Sequence, residues 1–294
     1  MIVLFPPGGT ADVTARIVAE RMRVSLGQPV VIENVTGAGG TIGAGRVARA
    51  APDGSTIMLG SWGTHVVAGA MQALPYSVTA DFEPIALIGT QPLVLVSKPD
   101  MPAKDLQELI AWLKANPDKA SLATAGMGSV SHIAGVLFQK QSGTRQPFVP
   151  YRGAAVAMQD LMAGQVDMMF DQPVNALPLV RDGRLKGYAI TAKNRMALAP
   201  NLPSVDEAGL PGFYVSQWNA IWAPKGTPDS IVARLNAAVV EVLDDPAVRG
   251  KLTDLGQEMF PRELMTPAAL GAFHKAEIEK WWPIIKAVVS KPAQ

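Results

Sequence analysis

The 294-residue chain contains no cysteine, which excludes disulfides, thiolate metal sites and cysteine nucleophiles. It also lacks an excess of either charge, since 26 basic residues and 25 acidic residues give a formal net charge of +1. Without a basic excess, no uniform field attracts a nucleic acid or an anionic membrane surface. We therefore predict that nucleic acids are not partners of this chain.

Long hydrophobic runs are also missing. No apolar run approaches the roughly 20 residues that a membrane-spanning helix needs, so the sequence predicts a chain that is not inserted in a membrane. The first residues do not form the basic and apolar segments of a secretion signal. The chain is instead rich in turn residues, with 27 glycines and 24 prolines separating short apolar runs.

Short strands alternate with helices along the chain. The run "MIVLF" (residues 1–5) predicts a strand that a proline-glycine turn ends, and Val13, Ile17, Val18 and Met22 then recur at helical spacing. Similar strand, turn and helix patterns follow as far as a predicted C-terminal helix at about 267–289. Such alternation is typical of βαβ units with mainly parallel sheets, and the length allows two lobes.

The stretch "FPPGGTADVTARIVAERM" (residues 5–22) places adjacent glycines at the start of a helix. Glycines let the backbone approach a ligand closely, and the first helical amides are unpaired and carry partial positive charge. The stretch therefore predicts an anion site. It has neither the phosphate loop nor the dinucleotide fingerprint, and Asp12 would repel a second negative charge, so a single carboxylate is favoured.

The stretch "LATAGMGSVSHIAG" (residues 122–135) repeats this pattern. Ser129 and Ser131 are predicted to cap the helix or to donate hydrogen bonds, and the amides of Gly126 and Gly128 are predicted to point outward, free for a ligand. Two such turns, one in each lobe, favour one shared carboxylate site. For either turn alone, a tight and well-capped βα connection is the simpler explanation.

The segment "SWGTH" (residues 61–65) follows a third predicted strand, at the sheet edge where open α/β proteins bind ligands. Trp62 is predicted either to line the cleft or to pack in the interior, since indoles bury a large area. The chain has three histidines, and none has a histidine partner at the short sequence spacing that metal sites use. We therefore predict no metal site, and a hydrogen-bonding role for His65 and His132.

Asp171 ends the predicted strand "VDMMFD", where it either faces the cleft or caps the following helix. In the cleft, its carboxylate would favour a ligand amine or hydroxyl and disfavour a second carboxylate. Arg152 is expected at the surface. The cluster Met158, Met162, Met168 and Met169 is predicted to lie in the core, and Trp281 and Trp282 are predicted to be structural.

Five stretches together resemble a known family: "VLFPPGGTADVTARIVAERM", "VVIENVTGAGGTIGAGRVARAAPDGSTIMLG", "ATAGMGSVSHIAG", "FVPYRGAAVAMQDLMAGQVDMMFD" and "LPSVDEAGLPGF". In order and spacing they resemble the Bug (TctC-like) receptors of tripartite tricarboxylate transporters over nearly the whole chain. The resemblance implies a type II periplasmic-binding-protein fold, with two βα lobes joined by two crossover segments and a ligand cleft between them. We map lobe 1 to residues 1–98 plus 223–294 and lobe 2 to residues 99–222.

The resemblance also implies a periplasmic monomer that needs no cofactor and whose partners are a small carboxylated ligand and a membrane permease or sensor. Because residue 1 already lies almost inside the first strand, a signal peptide is expected to have been removed or to lie outside this sequence. The resemblance implies that the two turns jointly hold the ligand's near carboxylate through amides and through the hydroxyls of Thr10 and Ser129. Because contact between two anions is costly, Asp12 is expected to organise its own turn or a helix N-terminus, or to orient a water molecule, rather than to touch the ligand carboxylate. The predicted ligand-binding residues are Phe5, Pro7, Gly8, Gly9, Thr10, Asp12, Ser61, Trp62, Gly63, Thr64, His65, Ala125, Gly126, Gly128, Ser129, His132 and Asp171.

Three functions follow from these patterns. The first is an extracytoplasmic receptor that closes around a small carboxylate and is not an enzyme. The alternative is a hydrolase with Ser129 as nucleophile and His132 as base, which share a helix face, although neither a Gly-x-Ser-x-Gly motif nor a third orienting group is evident. The third is a sensory domain with the same fold, which the sequence does not distinguish from a transport receptor.

Overall fold

The computed structural model describes residues 1–289 and divides into two compact units. Unit 1 contains Met1–Thr90 and the described residues from Trp218 onward, and unit 2 contains Gln91–Gln217. These units divide at 90/91 and 217/218, and the lobes expected from the sequence, 1–98 plus 223–294 and 99–222, stay a prediction. The divisions follow from strand pairing, which assigns residues 94–97 to the sheet of unit 2 and residues 219–222 to the sheet of unit 1.

The regular elements are numbered in chain order. The strands are β1 Ile2–Val3, β2 Glu33–Asn34, β3 Met58–Ser61, β4 Phe82–Pro92, β5 Val94–Ser97, β6 Leu122–Thr124, β7 Phe148–Pro150, β8 Met168–Asp171, β9 Lys186–Ile190, β10 Ser216–Pro224 and β11 Glu258–Met259. The α-helices are α1 Thr10–Leu26, α2 Thr41–Ala48, α3 Ala68–Met71, α4 Leu106–Ala115, α5 Val130–Ser142, α6 Ala154–Met162, α7 Pro173–Arg181, α8 Asp229–Asp244, α9 Pro246–Asp254 and α10 Pro267–Val289. The predicted start of the C-terminal helix at residue 267 is confirmed, and the helix reaches Val289, the last described residue.

Unit 1 has a six-stranded sheet in the order β11-β4-β10-β3-β1-β2. Strands β2, β1 and β3 are parallel, and β10 pairs antiparallel with β3 so that Asn219 lies opposite Ser61. Helices α1 and α8 pack against each other, and their apolar faces join the sheet residues in one buried core. Val18 and Met22 of α1 are fully buried in it, as the helical spacing predicted.

Unit 2 has a five-stranded sheet in the order β7-β6-β8-β5-β9. Strand β6 is parallel to both β7 and β8, whereas β5 is antiparallel to β8 and β9. The core of this unit contains Met158 and Met169, Met162 packs against that core, and Met168 is fully buried. The prediction that the methionine cluster is core is therefore confirmed.

The two sheets share one strand order. In unit 1 the chain runs from β1 to β2 on one side and then crosses to β3 on the other, and in unit 2 it runs from β6 to β7 and then crosses to β8. Strand β1 in unit 1 and strand β6 in unit 2 therefore each end at a topological switch point, where open α/β sheets leave room for a ligand at their carboxyl edge. Both glycine-rich turns begin at these points.

Within residues 1–289, no helix combines the length and the apolar composition that crossing a bilayer requires. The longest described helix, α10, packs into unit 1 instead. Trp281 of this helix is buried, and the Trp282 indole donates a hydrogen bond to the Val66 carbonyl at 3.0 Å. Both tryptophans are therefore structural, as predicted.

Candidate functional site

The first glycine turn is held by one buried carboxylate. The Gly8 amide donates to Asp12 Oδ2 at 2.9 Å, and Arg16 Nε donates to the same oxygen at 2.9 Å. Asn34 Nδ2 on β2 donates both to Asp12 Oδ1 and to the Phe5 carbonyl, each at 2.9 Å. Asp12 therefore organises its own turn, as expected, and also ties it to the neighbouring strand.

Asp12 is 2% exposed yet remains a strong acid. The hydrogen bond from Arg16 is the main cause that lowers its pKa to about 2, and the Gly8 and Asn34 hydrogen bonds act in the same direction against the effect of burial. The ionised carboxylate is thus fully committed to groups of its own unit. Direct contact between this oxygen pair and a ligand anion would be unfavourable.

The amides next in the chain remain available. Within the described part of the chain, the Gly9, Thr10 and Ala11 amides have no hydrogen-bond acceptor, because they open α1 and Gly9 provides no side-chain cap. Pro7 has no amide proton, and Pro7, Gly8 and Gly9 are exposed. An anion can therefore reach a group of unpaired N–H donors here, where the helix dipole adds partial positive charge.

The second turn differs from its prediction, because its glycine amides are already hydrogen bonded within unit 2. Gly128 N–H donates to His132 Nδ1 at 3.1 Å, and Gly126 N–H donates to Thr124 Oγ1 at 3.4 Å. The Ala125 amide donates to Ser131 Oγ at 2.9 Å. The expectation that the Gly126 and Gly128 amides are free is therefore wrong.

Other donors of the second turn are available instead. Within the described residues, the Met127, Val130 and Ser131 amides have no acceptor. Ser129 caps α5, since its Oγ accepts from the His132 amide at 3.3 Å and lies 2.9 Å from Ser131 Oγ. When the Ser131 hydroxyl donates to Ser129 Oγ, the proton of Ser129 is left to donate to a ligand.

The two turns are built in the same register, which the sequence analysis did not detect. Gly8 and Gly128 both have positive φ, +82° and +77°, and each donates to the third residue of the helix that follows. That residue is Asp12 in α1 and His132 in α5. We call these two hydrogen bonds the glycine–N3 bonds. An acceptor four residues after a turn glycine is the sequence signal for them.

The geometry gives no support to the hydrolase hypothesis. Ser129 Oγ contacts the backbone amide of His132, not its ring, and the ring nitrogen Nδ1 already accepts from Gly128. The imidazole is 3% exposed and packs edge-on against Phe148, with ring centroids 5.0 Å apart. A general base must reach the proton that it abstracts, and this ring has no such contact with the serine.

The segment after β3 turns into a short π-helix, Gly63–Val67, with Trp62 preceding it. Thr64 Oγ1 accepts from the Ser61 amide at 2.9 Å, and both side chains are buried. Trp62 is 1% exposed and packs edge-on against Trp281, with ring centroids 5.3 Å apart, as the packing alternative predicted. Contact of residues 61–65 with a ligand stays a prediction.

His65 lies in the aromatic interior of unit 1. Its ring is fully buried and stacked on Trp222, with centroids 4.6 Å apart, and its Nδ1 lies 3.0 Å from Thr64 Oγ1. Burial holds the pKa of His65 well below its ordinary value of 6.5, with His274 acting in the same direction. Among the described residues no group of three or more His, Asp or Glu side chains has an arrangement that could hold a metal ion.

Asp171 ends β8, beside the switch point of unit 2. Its side chain is 4% exposed, and Asn175 Nδ2 donates to Oδ2 at 3.2 Å. Burial raises its pKa to about 6, against hydrogen bonds from the Gln172 amide and Asn175. Gln172 occupies the N-cap position of α7 without a side-chain cap hydrogen bond, so Asp171 does not lie at the cap position. Contact between Asp171 and a ligand stays a prediction.

These features define a class of protein. Two α/β units, each with unpaired amide donors at the switch point of its sheet, are the architecture of a solute-binding receptor. Comparison with known proteins agrees. The sequence profile of the tripartite tricarboxylate transporter family receptors matches residues 14–289, and the chain belongs to this family. The family resemblance and the predicted fold class are both confirmed.

Individual relatives are similar over almost their whole length. Protein BugT of Bordetella pertussis is 36% identical, over 99% of this chain and 89% of BugT. The structure of MatC from Rhodopseudomonas palustris with bound malate has 42% identity and a TM-score of 0.81, covering 97% of each chain. The R. palustris protein Rpa4515 with adipate has 31% identity and a TM-score of 0.83, covering 97% of this chain and 95% of that one. The chain is thus similar throughout to extracytoplasmic solute receptors.

Proposed function

We propose that this chain is a periplasmic receptor that binds a small aliphatic dicarboxylate and presents it to a membrane permease of the tripartite tricarboxylate transporter type. The observation that carries the proposal is the pair of equivalent turns, each with unpaired helical amides at a switch point. Neutral N–H donors at a helix N-terminus suit a carboxylate, because they stabilise the anion without a counter-charge. In this proposal the receptor releases the ligand chemically unchanged.

The ligand class is supported by two family members. MatC binds malate and Rpa4515 binds adipate, and both are dicarboxylates with a short carbon chain. Within the first turn of this chain the nearest cation, Arg16, is bound to Asp12. Recognition of the ligand by amides and hydroxyls therefore fits this turn better than recognition by an ion pair.

The binding experiment uses four probes: malate, succinate, adipate and the monocarboxylate butyrate. Calorimetry and thermal unfolding are measured at pH 7.5, followed by chromatography of the recovered probe. A bound probe at one hundred times its Kd should stabilise the protein by about 2.7 kcal/mol. A dicarboxylate that binds unchanged, with butyrate binding much more weakly, supports the proposal. No binding by any dicarboxylate, or its conversion to a product, would refute it.

Two variants test the turns. Gly9 has φ of −76° and an added Cβ meets only the Pro6 carbonyl at 3.6 Å, so Gly9→Val should fold while its branched side chain obstructs the Thr10 and Ala11 amides. Ser129→Ala removes the hydroxyl donor of the other turn. Each should weaken dicarboxylate binding, Gly9→Val by about tenfold or more. Gly250→Ala, in an open position on α9, is the control. Unchanged affinity in both turn variants would mean that the turns are only structural.

A further inference from the structure

The acceptors of the two glycine–N3 bonds differ in one chemical respect. Asp12 is a carboxylate that stays ionised to about pH 2, whereas His132 accepts only through a neutral ring nitrogen. The Gly128 amide occupies Nδ1, so the proton of the neutral imidazole is on Nε2. A protonated ring has N–H donors at both nitrogens and cannot accept from Gly128. One turn therefore contains an acid-sensitive contact that the other lacks.

We propose that His132 is a positioning residue whose neutral, Nε2-protonated ring holds the Gly128 turn in its binding geometry, so that mild acid opens the turn and weakens ligand binding. The inference rests on the proposed function for its ligand readout. It does not assign His132 any contact with the ligand.

The surroundings of the ring favour the neutral form. His132 is 3% exposed, packs on Phe148 and has its pKa lowered from 6.5 by burial. Strands β6 and β8 pack against α5, and their one titratable side chain is Asp171 at the end of β8. In sequence, Asp167 directly precedes β8 and pairs with Lys98, and Tyr151 directly follows β7 and bonds to Asp160, while Lys140 lies on α5 itself. Burial is the one cause of the shift of the His132 pKa.

Loss of the bond has a local consequence. Gly128 has a φ of +77°, and its amide would lose its acceptor inside a half-buried turn. The available donors of this turn belong to residues within three positions of Gly128, namely Met127, Ser129, Val130 and Ser131. Movement of Gly128 would therefore displace the donors that the ligand needs, and preorganised donors account for much of binding affinity.

The sign of the effect follows from linkage. The pKa of His132 in the folded protein lies below the unfolded value of 6.5. The stability that the neutral ring contributes is therefore complete above pH 6.5 and is lost as the pH falls through the lowered pKa. If only the neutral form binds, the dissociation constant rises about tenfold for each pH unit below that pKa. Protonation that instead paired with the ligand would strengthen binding in acid.

The experiment measures malate affinity from pH 8 to pH 5 for the wild type and for His132→Asn, whose side-chain oxygen can replace Nδ1 as acceptor but does not titrate in this range. The wild type should lose affinity as the pH falls below 6.5 and through the lowered pKa of His132. His132→Asn should bind somewhat more weakly at pH 7.5 and lack this loss, keeping only the shallower pH dependence that titration of malate and of Asp171 gives to both proteins. The other two histidines, His65 and His274, lie in unit 1 and are retained in the variant, so they serve as an internal control. A profile for His132→Asn as steep as the wild type, or tighter wild-type binding in acid, would overturn the proposal.

A second readout does not need a ligand. Nitrogen NMR of the ligand-free protein should show His132 with its proton on Nε2 above pH 7. The protection of the Gly128 amide from hydrogen exchange, taken relative to the intrinsic exchange rate at each pH, should fall as the ring titrates. A ring protonated on Nδ1, or Gly128 exchange that does not follow the titration, refutes the positioning role even if dicarboxylates bind. If no dicarboxylate binds at pH 7.5 while the NMR result holds, the proposed function fails and the positioning of the turn stands.

Discussion

Removing the charge of Asp12 should destabilise unit 1 by an amount that depends on pH. In Asp12→Asn, only one side-chain atom, the amide oxygen, can accept hydrogen bonds. The NH2 group takes the place of the second carboxylate oxygen and faces groups that are themselves donors. In the wild type, the Gly8 amide and Arg16 Nε both donate to one carboxylate oxygen of Asp12, at 2.9 Å each, and Asn34 donates to the second oxygen. At least one of these buried donors loses its acceptor in the variant.

The size of the loss follows from the pKa. A decrease from 3.8 to about 2 corresponds to about 2 kcal/mol of stability when the group is fully ionised. Arg16, the largest cause of the shift, has 53% of its side chain exposed, so solvent weakens its share. We therefore expect Asp12→Asn to lose about 1–2 kcal/mol at pH 7. Because the pKa is depressed, the contribution is present above 3.8 and is lost as the pH falls towards 2.

Urea unfolding followed by tryptophan fluorescence measures this difference in the appropriate unit, because every tryptophan except Trp112 lies in unit 1. Arg16→Gln, which keeps the carboxylate and its other donors, is the matched control and should lose less than Asp12→Asn. Equal urea midpoints for the wild type and Asp12→Asn at pH 7 would refute the role assigned to the carboxylate. A difference that stays constant from pH 7 to pH 2.5 would show that packing, not ionisation, causes the loss.

Two further substitutions test the interior of each unit. A Cβ at Gly60 would lie 2.2 Å from His65 Cε1 and 2.8 Å from Trp222 Cδ1, so Gly60→Ala should lose about 1–3 kcal/mol in urea unfolding, and a loss no larger than that of Gly250→Ala contradicts this contact. Burial raises the pKa of Asp171 from 3.8 to about 6, so its contribution to stability falls as the pH rises through that interval. Asp171→Asn should therefore increase the free energy of unfolding at pH 7.5 by roughly 3 kcal/mol, raise the melting temperature accordingly, and lose this advantage near pH 4. Equal melting temperatures at pH 7.5 would show that the ionised carboxylate is not strained in the folded protein.

Local patterns in the sequence predicted most of the elements around the site. The apolar spacing of α1, the positions of the glycine turns and the start of α10 depend on neighbouring residues only, and these predictions are confirmed. The unit boundaries depend on which strands pair over long separations. Strand β5 joins β8 and β9, and β10 joins β3, which the sequence pattern did not reveal.

The details of the site were harder to predict than its position. The backbone of a glycine turn alone predicts free glycine amides, but the acceptors four residues later, at Asp12 and His132, occupy the amides of Gly8 and Gly128. The amides that remain available belong to the first helical residues, which follow directly from the missing partners at any helix start. Burial was one of the two alternatives predicted for Trp62. The burial of Trp62 and His65 depends on their ring contacts with Trp281 and Trp222, which lie far along the chain.

The position of β10 in its sheet has a consequence for synthesis on the ribosome. This strand lies between β3 and β4, so the first 90 residues cannot complete their sheet until residues 216–224 have emerged. Unit 2 is one continuous segment, and all five of its strands are available before that point. Although domains generally fold from the N-terminus, the later segment of this chain should mature first, while the earlier one waits for its central strand.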